Sequence, residues 1–136
     1  MYPSNSLRII SAIAGIVVIL VAGATAQIFP QAIVRVDLQR HDLGVGGREA
    51  VHVRVDFAPD AVAPRHWHSG EEIVYVLKGT LVYELDGQPP RTLNAGNVVF
   101  IPAGVGHTVR NIGGDQASEL ATYIVEKGKP LVVLAK

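Results

Sequence analysis

From Ile33 to the C-terminus no stretch carries the 3.6-residue apolar period of a helix. Short runs rich in β-branched and aromatic residues are instead cut at close intervals by glycine, proline and aspartate. The runs are 33–38, 50–57, 72–77, 80–85, 97–101, 107–111 and 120–126, with 131–134 as an eighth. Short strands with turn signals at this spacing restrict the chain to an all-β sandwich or barrel. Lys78-Gly79 joins two runs tightly enough to predict a hairpin, and Asp86-Gly87 is a standard short-turn pair. Pro89-Pro90 interrupts any ladder, because proline has no N–H to donate. Asn94-Ala95-Gly96 and Pro102-Ala103-Gly104 each supply a residue suited to positive φ at a chain reversal. Residues 27–32 and 39–48 read as loops, and no repeat or second domain is visible.

The N-terminal segment is of another kind. Residues 9–24 read IISAIAGIVVILVAGA, preceded by Arg8 and followed by the small-residue step Ala24-Thr25-Ala26. A basic start, an apolar middle and small residues two apart predict a secretory signal peptide cleaved after Ala26. The expected organisation is therefore a signal peptide at 1–26 and one domain at 27–136. The alternative is an uncleaved membrane anchor at residues 9–28, short for a span of ~20 residues. Either way the domain is expected outside the cytoplasm, periplasmic or secreted. The absence of cysteine excludes a lipid-modified anchor, and the lack of a twin arginine argues for export before folding.

Composition removes several function classes. Twelve basic and twelve acidic side chains cancel, which leaves no electrostatic footprint for a nucleic acid. No cysteine means no thiolate ligand, disulfide or thiol nucleophile. Any metal must be held by nitrogen and oxygen.

Three histidines and a glutamate offer such a set. His66 and His68, two apart, project from one face of an extended segment. Glu72 keeps that parity if the chain stays extended, and His107 opens a later strand after a proline-glycine turn. Three imidazoles and one carboxylate leave open positions on a divalent ion that prefers more than four ligands. By itself, His-x-His is more often two solvated histidines on a surface strand.

The flanking residues tighten the reading. His66-x-His68, three residues, Glu72, six residues, Gly79 forms one pattern. Gly96, five residues, Pro102-x-Gly104, two residues, His107, three residues, Asn111 forms a second. By chance the second should arise less than about once in a million starts. Together they resemble the two signature motifs of the cupin superfamily. One departure stands out: Asp60 occupies a position where that family often has glycine, and aspartate tolerates the left-handed bend expected there.

The resemblance implies a cupin-type double-stranded β-helix, or jelly-roll barrel, holding one divalent transition metal per chain on His66, His68, Glu72 and His107. Glu71 has the opposite parity and is the alternative to Glu72. Zinc, copper, manganese, iron, nickel and cobalt all suit the donors; uptake outside the cytoplasm raises zinc and copper. Trp67 is expected to point away from the metal. Ile73, Tyr75 and Leu77 are expected on the outer face of their strand, an apolar surface that suggests a homodimer. Val74, Val76, Val109 and Phe100 are expected as apolar walls, and Asn111 as a turn-stabilising residue. Tyr83, Tyr123, His52 and Arg54 are candidates to orient a ligand, structural or solvent-facing roles being the more common alternative. No second carboxylate is evident beside the metal, so no separate general base is assigned.

Several functions are compatible with the resemblance. The first is a metal-dependent enzyme on a small organic molecule: an oxygenase first, then an isomerase, lyase or decarboxylase. The alternatives are a non-catalytic module that binds or senses a small metabolite, and a metal-handling or structural protein. No nucleic-acid partner is expected, and a membrane only if the N-terminal segment is uncleaved.

Overall fold

The computed structural model describes residues 32–136, so the expected signal peptide at 1–26 lies outside the described residues. Ten strands follow one another: β1 (Ile33–Asp42), β2 (Arg48–Phe57), β3 (Val62–Trp67), β4 (Glu71–Lys78) and β5 (Thr80–Leu85), then β6 (Arg91–Asn94), β7 (Val98–Ile101), β8 (His107–Asn111), β9 (Ala117–Glu126) and β10 (Val133–Leu134). They form two antiparallel five-stranded sheets, in the orders β1-β2-β9-β4-β7 and β10-β3-β8-β5-β6. The all-β jelly-roll expectation holds.

Alternation along the central strands builds the core between the sheets. On β2, Val51, Val53, Val55 and Phe57 are buried, and β9 answers with Ala117, Glu119, Ala121, Tyr123 and Val125. Register sets Val51 against Tyr123, Val53 against Ala121 and Phe57 against Ala117. The facing sheet contributes Ala63, Leu81, Tyr83, Leu85, Leu93 and Val109. Each fully buried valine or leucine stabilises the barrel by about 1.5–3 kcal/mol relative to exposure.

The structure corrects three local expectations. Lys78-Gly79 does not close a hairpin: β4 and β5 lie in different sheets, and the chain crosses between them there. Gly79 has φ 78°, and a Cβ on it would sit 2.8 Å from that of Ala117, so glycine is needed for the crossing. Residues 39–42 are strand, paired through Asp42 and Glu49. Both faces there are exposed, so no period betrays them. Strands β3 and β6 match none of the β-rich sequence runs, since β3 contains Pro64 at a register shift and β6 follows Pro89-Pro90. Asp60 adopts φ 60°, the left-handed bend expected of it.

Candidate metal centre

The site forms where β3, β4 and β8 meet. His66, near the end of β3, is the direct cross-strand neighbour of His107, the first residue of β8. Their ring centroids lie 4.2 Å apart. His68 follows β3 and stands 5.1 Å from His66 and 5.2 Å from His107. The Gly104 N–H donates to the His68 carbonyl at 3.0 Å, tying the proline-glycine turn before β8 to the His-x-His segment. Gly70 lies between His68 and Glu72, where a Cβ would come within 1.9 Å of the Ile124 carbonyl oxygen. Only glycine lets the chain enter β4 so close to β9.

All four side chains are buried, and one ring nitrogen from each histidine lies within 4.8 Å of the others. Each Nδ1 faces a backbone carbonyl: His66 with Pro64 at 2.7 Å, His68 with Leu131 at 2.5 Å, His107 with Val105 at 3.1 Å. A carbonyl can only accept, so in each ring Nδ1 carries the hydrogen and donates it. The three Nε2 atoms then present lone pairs. Glu72 Oε2 lies 3.1 Å from His68 Nε2 and 3.4 Å from His107 Nε2. Neither His68 Nε2 nor Glu72 Oε2 has a hydrogen-bond partner.

Lone pairs facing one another in a buried space need a cation between them. The arrangement therefore fits a metal ion, with each imidazole oriented through its other nitrogen. Burial, then the charge of His107, lowers the His66 pKa to about 3, so this imidazole keeps its lone pair at ordinary pH. Burial opposes ionisation of Glu72, but the closeness of His107 and His68 outweighs it and holds the carboxyl below the usual range. Glu72 rather than Glu71 faces the histidines; Glu71 pairs with Arg48 at 3.2 Å on the other face.

Beside the histidines lies a cavity of about 10 Å³, room for roughly one water-sized group. Val55, Phe57, Ala63 and Val109 give it apolar walls, but Arg35, Glu119 and Tyr123 line it too, so it is not the largely apolar pocket expected. Tyr123 packs its ring on His68 at 4.7 Å and accepts a hydrogen bond from Arg35 Nη2 at 3.1 Å. Glu119 corrects the expectation that no second carboxylate accompanies the site. It is buried, and the Tyr83 hydroxyl donates to it. Burial first, then the charge of Glu72, raises its pKa to about 8, against the opposing pull of Tyr83 and Arg35. Burial also raises both Tyr83 and Tyr123 well above an ordinary phenol.

The other expected residues divide cleanly. Tyr123 reaches the cavity, while Tyr83 stands behind Glu119. His52 and Arg54 do not reach it: His52 contacts the Thr122 hydroxyl at 3.3 Å and Arg54 pairs with Asp56 at 3.1 Å. Phe100 is 54% exposed, opposite Ile73 on the outer face, because its parity follows β7 and not the motif. Val74 and Val76 are core residues that do not line the cavity, whereas Val109 does. Trp67 is half-buried on the opposite parity from the histidines. Asn111 donates to the carbonyls of Phe57, Ala58 and Asp115 and accepts from the Gly113 N–H, holding the turn as expected. Arg35 and Glu119 carried no sequence signal, since neither belongs to a motif and neither is the only charged residue in its strand.

Comparison with known proteins follows this geometry. Residues 53–125, over half the chain, match the family model of the Cupin domain. Dimethylsulfoniopropionate lyase DddQ of Ruegeria pomeroyi is 43% identical over 47 residues, 35% of this chain and 23% of the lyase. Its solved structure superposes with a TM-score of 0.62 at 26% identity, covering 76% of this chain and 52% of that one. A germin-like protein of Arabidopsis thaliana, subfamily 3 member 1, is 33% identical over 85 residues, 59% of this chain and 41% of the relative. An oxalate oxidase solved with the substrate analogue glycolate gives a TM-score of 0.63 at 27% identity, covering 78% of this chain and 56% of that one. The chain thus spans less than half the length of these two curated relatives.

Proposed function

The chain belongs to the cupin family, and from that premise we propose that it is a metal-dependent enzyme acting on a small organic molecule. One observation carries the reading: buried, convergent lone pairs of His66, His68, His107 and Glu72 lie beside a second buried carboxylate, Glu119. The four converging residues are the proposed ligands of one divalent transition metal. When bound, such an ion supplies Lewis acidity, or a redox centre if it is copper, iron or manganese.

The chain's own residues do the rest. The carbonyls of Pro64, Leu131 and Val105 fix the three imidazoles in one tautomer and orientation. Glu119, protonated below about pH 8, can give a proton to a molecule in the cavity and take one back. The Tyr83 hydroxyl donates to Glu119 and steadies it. Oxygen chemistry on a chelating enol, phenol or thiol needs only the open metal positions. Glu119 favours a second reaction type, a proton-transfer reaction of the lyase, isomerase or decarboxylase kind. The relatives named for an oxidation and for an elimination support metal-dependent chemistry in general. A non-catalytic binding module drew its support from the lack of an acid–base partner, and Glu119 removes that support.

Two further proposals accompany this one. Export is supported by the signal-like pattern of residues 1–26 and favours zinc or copper as the metal. A homodimer is supported by the exposed outer row of Ile73, Tyr75, Leu77, Val98 and Phe100 on β4 and β7.

Elemental analysis of the purified protein and of His107→Ala tests the centre. About one transition metal per chain, lost in the variant, is the expected outcome. A metal-free wild type, or a variant that binds metal as well as the wild type, refutes it.

A further inference from the structure

We propose that residues 131–135 form a strap that sets His68 as a ligand, and that the centre takes up and releases its ion when this strap parts from β3. The inference deepens the reading above and rests on its metal centre.

Three observations point the same way. The first is an asymmetry among the imidazoles. His66 and His107 each turn Nδ1 to a carbonyl two residues earlier, Pro64 and Val105, so their own segments orient them. His68 instead turns Nδ1 to the carbonyl of Leu131, 63 residues further along the chain, at 2.5 Å. Its orientation therefore depends on a segment that can move away from it.

The second is anchorage. His66 and His107 oppose one another in the β3–β8 ladder, and Glu72 pairs with Tyr123 on one side of β4 and Ile101 on the other. His68 lies past the end of β3, in no strand. The Gly104 N–H holds its backbone carbonyl, and Leu131 accepts from its ring.

The third is how lightly the strap is held. Within it β10 is a two-residue edge strand beside β3, with Val133 opposite Trp67 and Leu134 opposite His66. The Ala135 N–H adds a hydrogen bond to the Arg65 carbonyl at 3.0 Å, and the turn leading in is closed by a longer one, from the Lys129 N–H to Glu126 at 3.4 Å. Val132 is buried and Leu131 packs partly buried against the core. So short an edge ladder opens more readily than strands paired on both sides. Opening withdraws the Leu131 carbonyl, and the His68 ring is then free to turn. By reciprocity, a loaded centre keeps the ring toward Leu131 and the strap against β3.

The test is release of cobalt from the loaded protein to excess EDTA, followed in the cobalt absorption bands, with the strap loosened or pinned. Ala135→Pro removes the N–H given to Arg65, and Leu131→Ala trims the apolar anchor but leaves the carbonyl. Each should speed release by about 10- to 100-fold. Trp67→Cys with Val133→Cys puts two cysteines directly opposite one another, where a disulfide pins the strap. The oxidised form should release cobalt at least about tenfold more slowly than the same protein reduced, a comparison in which the cost of the substitutions cancels. Nitrogen NMR of the metal-free proteins adds a readout that general loosening does not mimic. In Ala135→Pro, His68 should lose its fixed Nδ1–H form while His66 and His107 keep theirs. Release unchanged in both loosened variants overturns the proposal, as does equal release from the oxidised and reduced cysteine protein, or a tautomer change shared by all three histidines. A wild type that takes up no cobalt refutes the metal centre and the strap's role together, which distinguishes that failure from a failure of the strap alone.

Discussion

Replacing Glu119 by glutamine should change how stability depends on pH. The Glu119 carboxyl rises from an ordinary 4.5 to about 8 on folding, because it is buried and faces the charge of Glu72. Between these two values the folded protein holds a proton that the unfolded chain has released. Stability contributed by this group is therefore complete below about pH 4.5 and is lost as pH rises through 8. At 1.36 kcal/mol per pH unit the full loss approaches about 5 kcal/mol, and relaxation or water entry reduces it to at least about 2. His66 works in the other direction. Its folded pKa of about 3 lies below the ordinary 6.5, so its contribution is present above 6.5 and lost as pH falls toward 3. The two slopes oppose one another between pH 4.5 and 6.5, so the wild-type curve should be shallow there and fall from 6.5 to 8. Glutamine keeps an acceptor for Tyr83 but does not titrate. Urea unfolding of both proteins, metal-free, from pH 5 to 9 isolates Glu119, since His66 cancels in the difference. The glutamine variant should gain on wild type steadily with pH, by at least about 2 kcal/mol at pH 9. Parallel curves for the two proteins would refute the buried, protonated state of Glu119.

Gly70→Ala should lower both stability and metal affinity, because its Cβ must displace the Ile124 carbonyl from 1.9 Å and so moves His68 relative to Glu72. A loss of more than about 3 kcal/mol by urea unfolding is expected, and a loss below 1 would contradict the close approach. Phe100→Asp places a charge in the exposed apolar row of β4 and β7. It should convert a dimer to monomer in light scattering while changing monomer stability by less than about 0.5 kcal/mol; a wild type that is already monomeric removes the dimer proposal.

What the sequence by itself determined is what spacing can encode. Turn residues at close intervals require short strands, so the all-β class was legible before any coordinates. Strict alternation put Ile73, Tyr75 and Leu77 outside and Glu72 inside, as the barrel has them. The two motifs brought His66, His68, Glu72 and His107 together, because parity in a strand survives whatever the strand pairs with. Asp60 was readable for the same local reason, since its side chain decides which φ it tolerates. The sheet change at Gly79, the polar extension of β1 and the opposite wall of the cavity were not. They depend on which strand lies beside which, and no local pattern records that. Glu119 faces inward because register sets it against Val55 and Val76, and Arg35 reaches the cavity from an edge strand with almost no apolar period. Local chemistry could name the residues able to bind a metal; only the packing of β1 and β9 against β3 and β8 decided what stands across the cavity from them.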